Sequence, residues 1–199
     1  MKVSRFPATL LFACGLLLAA SPLAMAGSWK EVSELSQKAM DLSRSGKPDE
    51  AARAVISATR MRQALPPKQP SDDRSDSDGF ASKQLENAFL DVANRYAEKS
   101  RWADVITFCK WHIGDNAHLN TVGIVTAYTS MANAYRSLND LPDAEKCYKL
   151  AMTAYDRGRS AMGATEMVQC KKMFPGYARL LKLQNKEAEA QAITAKFAL

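Results

Sequence analysis

The chain has 199 residues, of which 47% are hydrophobic and 8% aromatic, and its formal net charge is +6 at neutral pH. This apolar content supports a folded core, while the scattering of Lys and Arg among Asp and Glu along helical stretches disfavours nucleic-acid binding. Long stretches rich in Ala, Leu, Met, Lys and Glu lack strand-like alternation, so the composition predicts an all-α protein.

The first 26 residues are predicted to be a signal peptide. Lys2 and Arg5 precede a short apolar run, and the sequence Ala-Met-Ala at 24–26 is typical of a cleavage site. We therefore expect export to the periplasm or secretion, with no membrane span in the mature chain. An alternative is a lipoprotein acylated at Cys14, although the bulky Phe12 fits such a cleavage box poorly.

The rest of the chain divides into three segments by composition. Residues 27–65 are predicted to form a first helical hairpin, and residues 83–199 a larger helical repeat domain, because apolar residues recur there every three or four positions. Residues 66–82 are rich in Pro, Ser and Asp and are predicted to be a disordered linker. Its Asp76–Gly79 portion resembles part of a calcium-binding loop, but Arg74 and Leu85 occupy positions that require acidic ligands.

One residue pattern recurs around four short predicted turns. A small residue is followed at +3 by a large one, and after the turn further small or apolar residues follow at fixed distances. Alanines at such positions let two helices approach closely. The four sets are Ala39, Leu42, Ala51, Val55 and Ala58; Ala93, Tyr96, Val105, Cys109 and His112; Ala132, Tyr135, Ala144, Tyr148 and Ala151; and Ala178, Leu181, Ala190, Thr194 and Phe197.

The third set resembles a tetratricopeptide repeat. The match is carried by Met131–Tyr135 and by Leu141–Ala151. The interval between successive units exceeds the 34 residues of the basic repeat and is similar to that of kinesin light chain-like repeats. The resemblance implies an exported bacterial protein in which about four antiparallel helix hairpins stack as a right-handed superhelix.

The resemblance also implies a concave groove that holds an extended peptide through the first helix of each hairpin. The residue after the small Ala faces that groove, and an Asn amide there would offer a peptide both a donor and an acceptor. Nearby basic residues would suit acidic or carboxylate groups. The predicted peptide-binding residues are Asn94, Asn133, Arg136, Arg179 and Lys182.

Catalytic, metal and cofactor sites are not predicted. His112 and His118 do not have the spacing of zinc ligands, so we expect His112 to be a packing residue. No nucleophile–base signature or phosphate-binding loop is present in the sequence. Cys109 and Cys147 lie in apolar helical patterns and are predicted to be buried as small hydrophobic residues, with a disulfide as the alternative.

These patterns predict a non-catalytic scaffold or adaptor of the cell envelope that binds a protein or peptide. Replacing Asn133 and Arg136 is expected to change the free energy of unfolding by less than about 0.5 kcal/mol, since exposed positions rarely affect folding. The alternative is a structural role by self-association, or as a subunit of an envelope complex, through an end face that includes Ile193 and Phe197. An enzymatic role has the least support, because no catalytic set can be assembled.

Overall fold

The computed structural model describes residues 28–65, 75–115 and 121–197, which are helical and contain no strand. This confirms the predicted all-α class. The predicted signal peptide and the first part of the predicted linker lie outside these residues. The helices are α1 (Trp29–Arg44), α2 (Pro48–Ala64), α3 (Ser75–Glu98), α4 (Trp102–Asp115), α5 (Thr121–Ser137), α6 (Leu141–Gly158), α7 (Ala164–Lys171), α8 (Pro175–Leu183) and α9 (Glu187–Phe197).

Four tight turns, between α1 and α2, α3 and α4, α5 and α6, and α8 and α9, have the same backbone geometry. Each contains one residue with positive φ, five positions before the turn-following small or apolar residue of the repeat pattern: Gly46 at 81°, Ser100 at 56°, Asn139 at 61° and Asn185 at 59°. The next residue donates its N–H to the carbonyl five positions earlier, at 2.9 Å in all four turns. This arrangement satisfies the last carbonyls of the first helix and reverses the chain.

The repeat pattern forms the core. Of the positions in the four sets, Leu42, Tyr135 and Thr194 are partly exposed and the others are buried. Ala132 and Ala144 have no exposed surface, and they lie on α5 and α6, which pack closely against each other. The periodicity therefore identified the contact faces of the hairpins.

The hairpins pack on one another as well as within themselves. α1 contacts both α2 and α3, and α5 contacts both α4 and α6. Ser43 of α1 donates to the carbonyl of Asp91 in α3 at 3.3 Å, and the side chains of Ser33 and Gln84 also hydrogen-bond across this interface. The first hairpin is therefore packed against the helices that follow the linker.

Helix α3 begins earlier than the sequence predicted. Residues 75–82 fall within the predicted linker of residues 66–82, yet they form the first turns of α3. Ala81 is only 1% exposed and Leu85 2%, so this end of the helix is anchored by burial. The polar composition of the segment hid the helix, because among residues 79–82 Ala81 alone is buried.

The end of the chain differs from the alternative of an exposed apolar end face. Ile193 and Phe197 are 7% and 3% exposed, and the rings of Phe197 and Phe174 stack with centroids 4.1 Å apart. These two residues therefore complete the core instead of forming a free surface. Helix α7 ends at Lys171, and α8 begins at Pro175, whose fixed φ suits the first turn of a helix.

The predicted packing roles of His112 and the cysteines are confirmed. The imidazole of His112 is 2% exposed and stacks on Phe89 with centroids 3.7 Å apart. Burial lowers the pKa of His112 to about 4, so the ring is neutral at pH 7. Cys109, Cys147 and Cys170 are buried free thiols.

Candidate functional site

A cleft runs between α3 on one side and α7 and α8 on the other, with α5 at its base. It consists of two adjoining cavities of about 490 and 400 Å³, and Leu90 and Thr126 line both of them. We call the larger one the proximal cavity and the smaller one the distal cavity. Along α3, along α5 and along the α7–α8 side, the residues that line the proximal cavity come earlier in the chain than those that line the distal cavity, apart from the shared Leu90 and Thr126. All three sides of this α5 cleft therefore run in the same direction.

Helical spacing places the α5 side chains of the distal cavity on one face. Thr126, Thr129, Asn133 and Arg136 follow one another at intervals of three or four residues, and all four line this cavity. Such residues share one side of a helix. Buried Ala132 lies next to Asn133 and turns toward the core, so the same helix serves packing and the cleft.

The distal cavity is cationic. Its lining includes Arg136 of α5, Lys172 from the segment between α7 and α8, and Arg179 of α8, and none of the described residues that line it is Asp or Glu. Within the described part of the chain, none of these three side chains forms an ion pair with a carboxylate, and Arg179 Nε donates to the carbonyl of Pro175 at 3.3 Å. Cations that converge without acidic neighbours favour an anionic ligand.

The amide of Asn133 has a fixed role in this cavity. Tyr148, whose side chain has no exposed surface, donates its hydroxyl to Asn133 Oδ1 at 2.9 Å. Burial raises the pKa of Tyr148 to about 12, so the hydroxyl keeps its proton at neutral pH. The amide oxygen is therefore engaged once from the buried side, which orients the amide and leaves its NH2 group available as a donor to a ligand. The sequence predicted both a donor and an acceptor, and the structure shows the acceptor already shared with Tyr148.

Gly176 allows this contact to form at the wall of the cavity. A Cβ at this position would overlap the Tyr148 hydroxyl and would lie 3.2 Å from Tyr148 Cζ and 3.5 Å from Asn133 Oδ1. Any larger residue would displace the hydroxyl or the start of α8. The close approach of α8 to α5 and α6 therefore requires a residue without a Cβ at position 176.

The structure brings together three of the five predicted binding residues. Asn133, Arg136 and Arg179 line the distal cavity. Asn94 is exposed on α3 outside the residues that line the cleft, and Lys182 forms an ion pair with Glu187, with the two charged atoms 3.8 Å apart. These two residues lie on α3 and α8, outside the lining of both cavities.

Lys172 was missed by the sequence analysis, although a signal for it exists. It lies six positions before Ala178, and Thr126 lies six positions before Ala132. Both line the distal cavity. Extending the repeat register six positions upstream of the small Ala would have identified Lys172 as a residue of the cleft.

The proximal cavity has a different chemistry. Lys83 and Glu86 of α3 and Glu166 of α7 line it, together with uncharged polar residues. Glu166 accepts a hydrogen bond from the N–H of Gly163 at 2.9 Å, which fixes the carboxylate at the start of α7. The stacked rings of Phe89 and His112 also line this cavity. This end offers both donors and acceptors, with charged residues of both signs among the described residues that line it.

Comparisons with known proteins leave the cleft itself as the main guide to function. No protein-family model, curated protein or solved structure matches this chain. Across residues 28–65, 75–115 and 121–197, no three His, Cys, Asp or Glu side chains are placed to hold a metal ion, and no helix is long and apolar enough to cross a membrane. The functional inference therefore depends on the shape and charge of the α5 cleft.

Proposed function

We propose that this protein is a non-catalytic scaffold or adaptor that binds an extended, acidic segment of a partner protein in the α5 cleft. The observation that carries the proposal is the distal cavity, where Arg136, Lys172 and Arg179 converge and where no described lining residue is a carboxylate. The available amide nitrogen of Asn133 adds a further donor. A cavity that presents donors and positive charge is suited to carboxylate groups.

The recurring turn geometry supports assignment to the tetratricopeptide-like class. The four turns have the same left-handed residue and the same 2.9 Å hydrogen bond, and each joins two packed antiparallel helices. In such repeat proteins, successive hairpins stack as a right-handed superhelix, and the first helix of each pair lines the inner surface. Helices α3, α5 and α8 are the first helices of the last three pairs and all contribute to the cleft.

The proposed cellular location is the envelope or exterior of a bacterial cell. It depends on the signal-like sequence of residues 1–26, which lies outside the described residues. N-terminal sequencing of the protein recovered from cells tests this part: a chain starting at residue 27 is expected. An uncleaved chain in the cytosol would contradict export.

Peptide binding is tested with two matched probes. One is an acetylated and amidated heptapeptide with three consecutive Asp residues at one end, and the other has Asn in place of each Asp. Isothermal titration calorimetry with the purified protein should show binding of the Asp peptide that is at least about tenfold tighter, because charge-assisted hydrogen bonds exceed neutral ones.

Substitutions in the distal cavity supply the second half of the test. Replacing Arg136 and Arg179 together by Gln should weaken binding of the Asp peptide by about 10- to 100-fold, as expected when two charged donors are lost. Lys182→Gln is the matched control, because Lys182 lies on α8 but outside the cavity. Full-strength binding by the double variant, with helicity unchanged, would refute the assignment of the cleft.

A further inference from the structure

The distal cavity holds many hydrogen-bond donors that have no acceptor in the described part of the chain. Arg136 and Lys172 donate to no group there, and Arg179 uses only its Nε, which donates to the carbonyl of Pro175 at 3.3 Å. An arginine side chain carries five N–H donors and a lysine side chain three. Most of the charged donors at this cavity are therefore available to a ligand.

Uncharged donors at the same cavity are also available. Tyr148 bonds only the oxygen of the Asn133 amide, so the NH2 group stays available. Among the described residues, the Ser130 hydroxyl and the Gly176 backbone N–H likewise have no acceptor, and both residues line the cavity. Gly176 is the second residue of α8, and the first N–H groups of a helix have no partner within that helix. The cavity thus combines charged and neutral donors.

These donors come from two sides of the cavity. Ser130, Asn133 and Arg136 belong to α5 at the base of the cleft. Lys172 and Arg179 belong to the side formed by α8 and the segment before it. A carboxylate has two oxygens in one plane with about four lone-pair sites, whereas a phosphoryl group has three terminal oxygens and a charge of about −1.5 to −2 at neutral pH. Donors on two sides therefore match a phosphoryl group better than a single carboxylate.

We infer that the distal cavity is a phosphoryl-binding site that prefers a phosphomonoester to carboxylates of equal total charge. This inference rests on the proposed binding of an acidic segment in the same cleft, and it names the anionic group. The three cations supply the charge, and the neutral donors of α5 and α8 bond the oxygens that remain. Such a group reaches the cavity on a phosphorylated partner segment or as free phosphate, and both sources share the chemistry of the phosphoryl dianion.

Two capped heptapeptides of matched charge test the preference. One is Ala-Ser-Ala-phosphoserine-Ala-Ser-Ala and the other is Ala-Ser-Asp-Asp-Ala-Ser-Ala, and at about pH 8 each carries a charge of about −2. Calorimetry in phosphate-free buffer should show that the phosphopeptide binds about tenfold tighter, as expected for one further charge-assisted hydrogen bond. Equal affinities would overturn the phosphoryl preference while leaving acidic-segment binding intact. Binding of neither peptide would overturn both.

Inorganic phosphate distinguishes the two sources of the group. It should displace the phosphopeptide from the purified protein in competition calorimetry, and a failure to compete would overturn the inference. Binding of phosphate alone that is weaker than that of the phosphopeptide assigns the cavity to a phosphorylated segment. Binding that is equally tight assigns it to free phosphate, and would contradict the proposed contribution of the peptide.

Lys172 separates phosphoryl geometry from simple charge. Lys172→Gln should weaken the phosphopeptide about tenfold and the Asp-Asp peptide by about threefold at most, because the two arginines still provide charged donors for carboxylates. Lys171→Gln is the matched control, since Lys171 ends α7 outside the lining of both cavities, and it should change neither affinity by more than about twofold. An equal loss for the two peptides in the Lys172 variant, or the same loss in the Lys171 variant, would overturn the inference.

Discussion

The Arg101 guanidinium donates two hydrogen bonds to the Asp49 carboxylate, of 2.8 and 2.9 Å, across the boundary between the first two hairpins. Lys186 occupies the same repeat position before α9 and donates to Glu145 of the preceding hairpin at 2.7 Å. Both basic residues lie immediately before the second helix of a pair. A basic residue at this position thus joins one hairpin to the previous one.

We predict that the Asp49–Arg101 pair contributes measurable coupling to folding. Both side chains are partly exposed, so solvent screening limits the interaction, and a double-mutant cycle with Asp49→Asn and Arg101→Gln should give a coupling energy of about 0.5–1 kcal/mol. Urea denaturation supplies the free energies. The exposed pair between Lys30 and Glu34, on α1 alone, is the control and should give less. Strictly additive effects at Asp49 and Arg101 would refute the coupling.

Protonation of Glu145 should lower the stability of the protein in acid. Burial alone would raise the pKa of Glu145, but hydrogen bonds from Lys149 and Lys186 lower it to about 2. An unfolded Glu has a pKa of about 4.3, so the stabilisation is complete above that pH and is lost as the pH falls toward 2. Glu145→Gln should remove up to about 3 kcal/mol at pH 7 and much less at pH 2. An equal loss at both pH values would contradict the assignment.

Asn133 is predicted to matter for stability as well as binding. Asn133→Ala would leave the buried hydroxyl of Tyr148 without its partner, at a cost of about 1–3 kcal/mol. This revises the small effect expected from the sequence. Adding Tyr148→Phe should recover part of the loss, because the unpaired hydroxyl is then absent. Thermal and urea melts measure both variants, and Asn94→Ala, at an exposed residue, should change stability by less than about 0.5 kcal/mol.

Gly176→Ala should destabilise the protein through the Tyr148 hydroxyl. The new methyl group would overlap that oxygen, and overpacking of this kind costs about 1–3 kcal/mol. In a Tyr148→Phe background the nearest remaining contact is Cζ at 3.2 Å, so less than half of the cost should remain. The urea midpoints of four proteins are compared: the wild type, Gly176→Ala, Tyr148→Phe and the double variant. Equal costs in both backgrounds would place the clash elsewhere.

Ala144 tests the repeat register. It has no exposed surface and lies on α6, which packs on α5, so Ala144→Leu should destabilise the fold by about 1–3 kcal/mol. Ala188→Leu, on the exposed face of α9, is the matched control and should have little effect. If both substitutions are tolerated equally, Ala144 does not mark a close helix contact.

Much of the fold was determined by local features of the sequence. The amphipathic period, the residues at the turns and the spacing of the small residues act within one hairpin, so the helices and most buried positions could be predicted from them. The burial of Cys109 and His112 followed from the same register. These features can be recognised in the sequence because each depends on residues that lie close together in the chain.

The composition of the cleft was decided by tertiary structure. Whether a predicted groove residue lines the distal cavity depends on how α5 and α8 pack. Arg179 and Lys182 both lie on α8, but Arg179 lines the cavity whereas Lys182 pairs with Glu187. The orientation of the Asn133 amide depends on Tyr148, which lies on α6. The cationic lining of the distal cavity joins residues of α5, of α8 and of the segment between α7 and α8. Sequence periodicity identifies the face of a helix, but only packing determines what that face meets.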